Sequence, residues 1–150
     1  MSKVSDVTDA LYSLVGTALS TYNELSDPYE LENNTELFLR KGYGIAINDG
    51  MNNLEQSTSC HRWTVRTYTF SLVNKITTTR ENKTSMKTLQ KSIMEDQETV
   101  LQAIYDDSTL GGDAVHIEYQ SDTGIQYLDI EQIKYFRVDT TLEVTYIKTV

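Results

Sequence analysis

The stretch HRWTVRTYTFSLVNKIT, residues 61–77, alternates between two sets of side chains with a period of two. Tyr68 and Phe70 belong to one set, and Trp63 and Val65 belong to the other. This period puts successive side chains on opposite faces of a β-strand. The stretch therefore predicts a strand longer than the usual length of roughly 3–10 residues, which bends or extends beyond its sheet as an arm.

Other segments of the chain show the same alternation, and we expect strands at residues 36–47, 115–119, 125–128 and 134–148. Asn48-Asp49-Gly50 is a strong turn signal after the first of these segments. It predicts that this segment and the 61–77 strand form a long β-hairpin. Residues 121–124, Ser-Asp-Thr-Gly, predict a second hairpin turn.

Two stretches instead repeat apolar residues every three or four positions, the period of a helix that packs one face against a core. The first runs from Val4 to Leu25 with Ser5 as its candidate N-cap. The second runs from Met86 to Tyr105 and is capped by Ser85. We therefore expect residues 1–150 to form a single α+β domain, a two-layer, mostly antiparallel sheet with a long β-hairpin and two helices on one face.

Composition excludes several classes of protein. The chain carries 22 acidic and 13 basic side chains, a net charge of −9, whereas sequence-independent binding to phosphates needs positive charge. Cys60 is the only cysteine, so no internal disulfide can form. No apolar run approaches the ~18 residues of a membrane helix, and the first residues lack the pattern of a secretory signal. We expect a protein of a reducing cytoplasm, without a membrane or general nucleic-acid partner.

The candidate catalytic motifs are incomplete. Asp122-Thr123-Gly124 matches the core triplet of dimeric aspartic proteases, but the neighbouring residues differ and the same triplet is ordinary turn chemistry. Cys60 and His61 are adjacent, and adjacent residues of a strand point to opposite faces. His116 has no second ligand nearby in the sequence. We therefore expect no enzyme activity, no catalytic residue, no metal site and no cofactor.

Three other patterns suggest binding or packing. Gly42 and Gly44 share one strand face, which favours the close approach of a neighbouring backbone or helix. Residues 62–70 mix arginines with aromatic residues, as single-strand nucleic-acid binders do, although the net charge opposes this. The acidic stretch 106–113 lacks the closing glutamate of a calcium loop. It is either a solvated loop or a docking loop for a basic partner.

Charge is distributed unevenly along the chain. Residues 1–60 carry a net charge of −6, residues 61–91 carry +6, and residues 92–150 carry −9. One explanation is that these charges solvate a hairpin and a helix face. The other is head-to-tail self-association, in which the basic segment of one copy docks on an acidic flank of the next. Complementary charge would guide that encounter and fix its register.

The layout of the chain resembles the tail terminator (tail completion) proteins of long-tailed bacteriophages. The features that carry the resemblance are a long N-terminal helix, the extended pair Leu37–Ile47 and Trp63–Ile76, the Met86–Tyr105 helix packed across it, and the final Phe136–Tyr146 strand. The resemblance spans nearly all of the chain and rests on layout, size and acidity. It includes no diagnostic motif and no catalytic residues that carry over.

The resemblance implies a structural virion protein, a homo-oligomer that forms a hexameric ring at the head-proximal end of the tail after assembly in the host cytoplasm. Such a ring caps the tail tube protein and joins it to the head connector proteins, while DNA passes through the lumen without specific binding. Under this hypothesis, the subunit interface contains Arg62, Arg66, Arg80 and Lys83, and the contact with tube or connector contains Asp106, Asp107 and Asp113. The alternative is a small soluble α+β module of acidic character that binds a ligand or a protein.

Overall fold

The computed structural model describes residues 4–31, 34, 41–58, 61–76, 78–79, 82–83 and 85–149. These residues contain two helices and eight strands. In chain order they are α1 Val4–Ala18, β1 Asn23–Glu24, β2 Lys41–Asn52, β3 His61–Lys75, β4 Thr78–Thr79, β5 Asn82–Lys83, α2 Met86–Asp106, β6 His116–Asp122, β7 Gln126–Ile130 and β8 Ile133–Thr149. A 3-10 turn at Leu110–Gly112 links α2 to β6.

Six of the strands form one mixed sheet in the order β1-β2-β3-β8-β6, and β7 pairs with β8 along the same edge as β6. Every pair in this sheet is antiparallel except the short contact of β1 with β2. The strands β4 and β5 form a separate small hairpin. The expected two-layer α+β fold, with a long hairpin formed by β2 and β3, is confirmed.

The core lies between the two helices and the sheet face formed by the even-numbered residues of β3 and β8. Tyr68 and Phe70 of β3 stand opposite Leu142 and Thr140 of β8, and each of the four is at most 1% exposed. The helices contribute buried side chains to the same core: Val7, Leu11, Val15, Ile93, Val100 and Ile104. Full burial of one such apolar side chain is worth about 1.5–3 kcal/mol. The alternation of residues 61–77 therefore identified the central core strand correctly.

The second helix agrees with the sequence pattern, because its start is encoded locally. Ser85 adopts an extended backbone, and its hydroxyl accepts a hydrogen bond from the N–H of Thr88. This bond satisfies one of the N–H groups that a helix leaves unpaired in its first turn. The amide of Gln97, 3% exposed, donates to Thr140 Oγ1 of β8 at 2.8 Å. The cap starts α2, and the buried amide fixes it on the sheet.

The first helix is shorter than the sequence predicts. It ends at Ala18, so the predicted continuation to Leu25 is wrong, and Ser5 lies inside the helix rather than at its N-cap. Tyr22 and Leu25 are buried, but they follow a turn and belong to the chain around β1. The backbone N–H of Leu25 donates to Tyr43 O of β2 at 2.8 Å. The apolar residues from Leu19 to Leu25 have helical spacing in the sequence, but after the turn the chain runs beside β2.

A second apolar cluster lies on the opposite face of the sheet, and its buried members are Leu25, Leu31, Val73 and Tyr135. The segment after β1 covers this face. Its Pro28 packs against Gly44 of β2, where an added Cβ would lie 2.7 Å from Pro28 Cβ. Arg137 Nη2 donates to Pro28 O at 2.9 Å, and Asn34 Nδ2 donates to the backbone oxygen of Asp27 at 2.6 Å. The close approach predicted for Gly44 is confirmed.

The predicted turn at residues 48–50 is wrong, because β2 continues through it to Asn52. The register with β3 shifts between Ile47 and Gly50, which marks a β-bulge. The side chain of Asn48 donates to Thr69 Oγ1 of β3 at 2.7 Å. Asparagine and glycine suit bulges as well as turns, and a bulge bends a strand without reversing it. The hairpin is therefore longer than expected, and the chain turns at residues 54–56.

The predicted hairpin turn at residues 121–124 is also wrong. Both β6 and β7 run antiparallel to β8, so they follow each other in one direction along its edge. Gly124 has a φ of 67°, and its N–H donates to Asp122 Oδ1 at 2.8 Å, which bends the chain between the two strands. The reversal occurs at Glu131 and Gln132, whose φ values of 52° and 68° fit a tight hairpin between β7 and β8.

The contact of Gly44 with Pro28 predicts a stability effect. Replacement Gly44→Ala places a methyl group 2.7 Å from Pro28 Cβ and 3.2 Å from its Cα, so the backbone must move. We expect the free energy of unfolding to fall by about 1–3 kcal/mol, measured by urea denaturation. The loss should shrink in a Pro28→Gly background, because the clashing Cβ is then absent. Equal losses in both backgrounds would contradict this explanation.

Candidate subunit interface

The end of the β2–β3 hairpin extends beyond the first helix. Tyr68 of β3 lies beside the first turn of α1, where its hydroxyl is 3.3 Å from Thr8 Oγ1 and donates to Val4 O at 3.4 Å. Pairing of β3 with β8 nevertheless continues for seven more residues, to His61 opposite Thr149. At about 3.3 Å per residue this extension is roughly 23 Å long. We call its β2–β3 part, residues 50–58 and 61–65, the hairpin tip.

Arg66 fixes the direction of the hairpin tip. Its Nη1 donates to Asn48 O of the bulge at 2.9 Å, and its Nε donates to Tyr146 Oη at 3.2 Å. Its guanidinium group also lies over Gly50, where an added Cβ would be 2.7 Å from the arginine Cζ. Hydrogen bonds to a charged group are stronger than neutral ones. Arg66 therefore joins the bulge of β2 to β8 across β3.

The hairpin tip exposes large apolar side chains to solvent. Met51 is 66% exposed and Leu54 is 80% exposed, and both line a shallow hollow with half-buried Val65. A hydrogen bond from Asn53 N to Trp63 O at 2.8 Å holds the two sides of the turn together. Clustered apolar side chains on a surface mark contact sites more often than single ones do. Neither residue was predicted from the sequence, because the turn expected at residues 48–50 ends the strand before Met51 and Leu54.

Cations also collect at this end of the sheet. Arg62 of the tip stands directly opposite Lys148 of β8, and a guanidinium N–H of Arg62 donates to Thr58 O. Like charges directly across a strand pair are unfavourable for the sheet. Neither residue forms an ion pair with a described residue, in contrast to Lys41 with Asp96 or Arg137 with Asp139.

The three predicted interface residues that the structure describes, Arg62, Arg66 and Lys83, do not lie together. Arg62 and Arg66 lie on the same face at the start of β3, but Arg66 is engaged within its own chain. Lys83 lies in β5, which follows the far end of β3. At the usual rise of a strand, that end of β3 is roughly 45 Å from Arg62. Arg80 lies outside the described residues. Within the described chain, Lys148 rather than Lys83 is the cation that accompanies Arg62.

The predicted acidic contact residues gather at the end of α2. Asp106 is the last residue of that helix and Asp107 its C-cap, and both are exposed. Asp106 Oδ1 accepts from Gln102 Nε2 at 3.0 Å, and Asp107 Oδ1 accepts from the N–H of Gly111 at 3.0 Å. Asp113 follows the 3-10 turn directly. Asp106 and Asp107 line a groove of about 510 Å³ between α1, the end of α2 and the 3-10 turn.

The Asp122 triplet has a structural role. Asp122 Oδ2 accepts from Tyr119 Oη at 2.6 Å and from Gln97 Nε2 at 3.2 Å, and Oδ1 accepts from the N–H of Gly124. These hydrogen bonds, that of Tyr119 foremost, hold the pKa of the Asp122 carboxyl below its ordinary value because they favour the ionised form. The carboxylate stabilises the bend between β6 and β7 and connects it to α2.

The other candidate residues for chemistry remain apart. His116 lies on an exposed strand, where its Nε2 is 3.0 Å from Glu118 Oε1. His61 is exposed at the start of β3, and Cys60 lies outside the described residues. Among the residues that the structure describes, no three His, Cys, Asp or Glu side chains form a group that could hold a metal ion. No helix in the described ranges has the length and hydropathy to cross a membrane.

The role of Arg66 predicts a difference between the two arginines of the tip region. Arg66→Met removes two hydrogen bonds and frees the bulge, and we expect the free energy of unfolding to fall by about 1–3 kcal/mol. Arg62→Met removes one exposed hydrogen bond and a like-charge pair, so a change within about 0.5 kcal/mol is expected. Urea denaturation followed by circular dichroism measures both. Equal effects would show that Arg66 does not pin the bulge.

The hydrogen bonds of Asp122 predict a pH dependence. Because its folded pKa lies below its unfolded value, the carboxylate stabilises the fold above the unfolded pKa. This contribution disappears as the pH falls through the folded pKa. We expect the urea midpoint of the natural protein to fall more steeply below pH ~4 than that of Asp122→Asn. Parallel pH profiles of the two proteins would be the contrary result.

Comparison of the sequence with models of known protein families finds no match, and a search of curated proteins finds none either. Three features of the structure bear on function: the exposed hairpin tip, the groove at the end of α2, and the position of Arg62 and Lys148 at the tip and of Asp106 and Asp107 at the groove.

Proposed function

We propose that this protein is a ring-forming structural subunit, and that its ring acts as a tail terminator of a long-tailed bacteriophage. In this role it caps the tail tube and joins it to the head connector. The observation that carries the proposal is the hairpin tip, a rigid extension of the sheet that carries Met51 and Leu54 at 66% and 80% exposure. The layout of two helices on a sheet with a long hairpin also supports the proposal, because it resembles this class of protein.

A rigid arm with an exposed apolar end favours contact with another molecule. Arg66 and the bulge hold the tip in one direction, so binding does not have to order a flexible loop, which lowers the entropic cost of association. A contact between a tip and a different surface of a second copy is heterologous. Such contacts close into a ring when the rotation between copies permits. The arm therefore supports assembly of identical subunits.

The charge of the chain fits a ring through which DNA passes. Each copy carries a net charge of −9, and the charges of several copies add within one assembly. An acidic lumen repels phosphate groups, so DNA would slide through it without binding. The proposed mechanism is steric and electrostatic: one face of the ring stacks on the tube, and the other face does not accept a further tube subunit. No cofactor and no bond-making step are needed.

One observation favours the alternative function of a binding module. The groove at the end of α2 has a volume of about 510 Å³, within the range of roughly 300–1,000 Å³ that is common for ligand pockets. A monomeric binding module would use this groove for a small molecule or peptide and leave the hairpin tip in solvent. The assembly state of the purified protein therefore distinguishes the two functions.

The proposed function predicts a ring in solution. A hexamer of the 17.1 kDa chain has a mass of about 100 kDa, measurable by size-exclusion chromatography with light scattering at low ionic strength. We expect Met51→Ser with Leu54→Ser to reduce assembly, because the change removes the apolar end of the tip. Tyr29→Ser is the matched control, since Tyr29 is 67% exposed but lies after β1 and away from the tip.

Capping is measured separately by adding the protein to tail-tube subunits that are polymerising, with tube lengths counted by electron microscopy. We expect shorter tubes with one blocked end. A protein that stays monomeric at low ionic strength and leaves tube length unchanged would contradict the proposed function and favour the binding module.

A further inference from the structure

We propose that the hairpin tip of one copy docks into the groove between α1 and α2 of the next copy. The inference rests on the proposed assembly and names the two surfaces that meet. Asp106 and Asp107, which the sequence analysis assigned to a tube or connector contact, then belong to the subunit interface. The groove is the receiving surface, and the tip is the inserted element.

The groove offers apolar surface at its base. Ala10, Leu14 and Ala18 line it from α1, and Ala103 and Leu110 line it from the other side. These small and medium side chains leave the space of about 510 Å³ open between the two helices and the 3-10 turn. Apolar surface in a groove of this size is stabilised when an apolar side chain displaces its water. Met51 and Leu54 are exposed apolar side chains that can fill it.

The charged residues that line the groove, Asp106 and Asp107, are both acidic. α1 contains Asp6 and Asp9 and no lysine or arginine. No lysine or arginine occurs between Lys91 and Lys134, a stretch that includes most of α2 and the 3-10 turn. An occupant of this groove must therefore bring positive charge to the rim, at Asp106 and Asp107.

Two cations, Arg62 of the hairpin tip and Lys148 of β8, lie at this end of the sheet with one acid, Glu55 of the turn. Arg62 and Lys148 lie opposite each other at the outer end of the β3–β8 ladder. Met51, which pairs with Val65, is on the other face of the sheet at the same end. The mutual repulsion of the two cations is unfavourable in the isolated chain, and facing carboxylates would relieve it. This end of the sheet thus has apolar side chains at the turn and on one face and two cations on the other face, and the groove has an apolar base with carboxylates at its rim. This complementarity commits the groove to a second copy of the chain.

A chain cannot place its tip in its own groove. Gly16 of α1 lies against Tyr43 of β2, where an added Cβ would be 2.8 Å from the tyrosine hydroxyl. The groove residues Leu14 and Thr17 are close to this point of α1. From Tyr43 to Asn52 at the tip, β2 extends for nine residues, or roughly 30 Å. The contact is therefore between copies, and its repetition connects subunits head to tail.

Disulfide crosslinking of the full chain tests this contact. Leu54→Cys and Thr17→Cys are introduced together, with Cys60→Ser to remove the natural thiol, and the protein is oxidised and run on a denaturing gel. Thr17 is exposed at the groove, so a docked tip would bring the two thiols together. We expect a ladder of covalent oligomers that forms at least about tenfold faster than in the control, since docking raises the effective thiol concentration. The control pairs Leu54→Cys with Gln90→Cys, an exposed position of α2 outside the groove.

Charge exchange provides the second measurement. Arg62→Glu and Asp106→Arg each place like charges across the proposed contact, and we expect each to weaken self-association about tenfold. The double variant restores opposite charges and should recover most of the loss. Neither change opposes folding, because Arg62→Glu faces Lys148 across the strands and Asp106→Arg puts a cation at the end of a helix.

The outcomes separate this inference from the proposed function. Rings that form normally, with no ladder above the control and no recovery in the double variant, would overturn the tip-to-groove contact and leave the ring intact. A natural protein that remains monomeric would overturn both. A ladder together with recovery in the double variant would support both.

Discussion

The pairing of β3 with β8 is the constraint on which the other features depend. The two strands keep one register over fifteen residue pairs, from His61 opposite Thr149 to Lys75 opposite Tyr135. The core covers only part of this length, because Val144 and Tyr146 are still buried whereas His61 and Lys148 at the end of the ladder are exposed. The same ladder that forms the centre of the core therefore also extends past it. The hairpin tip is stable as an extension because its strands are continuous with the buried part of the sheet.

The register of this pair also decides which surface each residue occupies. A slip of one residue would exchange the two faces of the strand and move Tyr68 and Phe70 away from the helices. Their burial at 0% and 1% exposure fixes the alignment. The same register necessarily places Arg62 opposite Lys148. The unfavourable pair at the tip is a consequence of the register that the core sets.

Local patterns predicted those parts of the fold that depend on local interactions. The period of two identified β3 and β8, and Ser85 with the following apolar period identified α2. The end of α1, the bulge at Ile47–Gly50 and the bend after Asp122 were predicted wrongly, because each depends on a distant partner. Leu25 bonds to β2, Asn48 to β3, and Asp122 to Gln97 of α2. A helical spacing of apolar residues also occurs in a chain that runs beside a strand, and Asn, Asp and Gly suit a turn as well as a bulge. Only the distant partner decides between them.

The residues of the candidate interface also divide into those that the local sequence predicted and those that only the strand pairing brings together. Arg62 was recognised from the charge of residues 61–91, but Arg66 has the same sequence signal and bonds within its own chain. Lys148 joins Arg62 only through the pairing of β3 with β8, at a separation of 86 positions that no local pattern conveys. Met51 and Leu54 became part of the tip because the bulge lengthened β2. Chain topology, rather than residue type, distinguishes the exposed contact residues from the internal ones.

The claim that the tip is covered by another copy is tested most directly by the fluorescence of Trp63, the only tryptophan of the chain. Trp63 is half-buried in the tip of the isolated chain, so docking would shield it further. The account predicts that its emission shifts to shorter wavelength as protein concentration rises at low ionic strength, and shifts back on dilution or with added salt. Emission that is independent of concentration and salt, in a sample that light scattering shows to be assembling, would contradict the account.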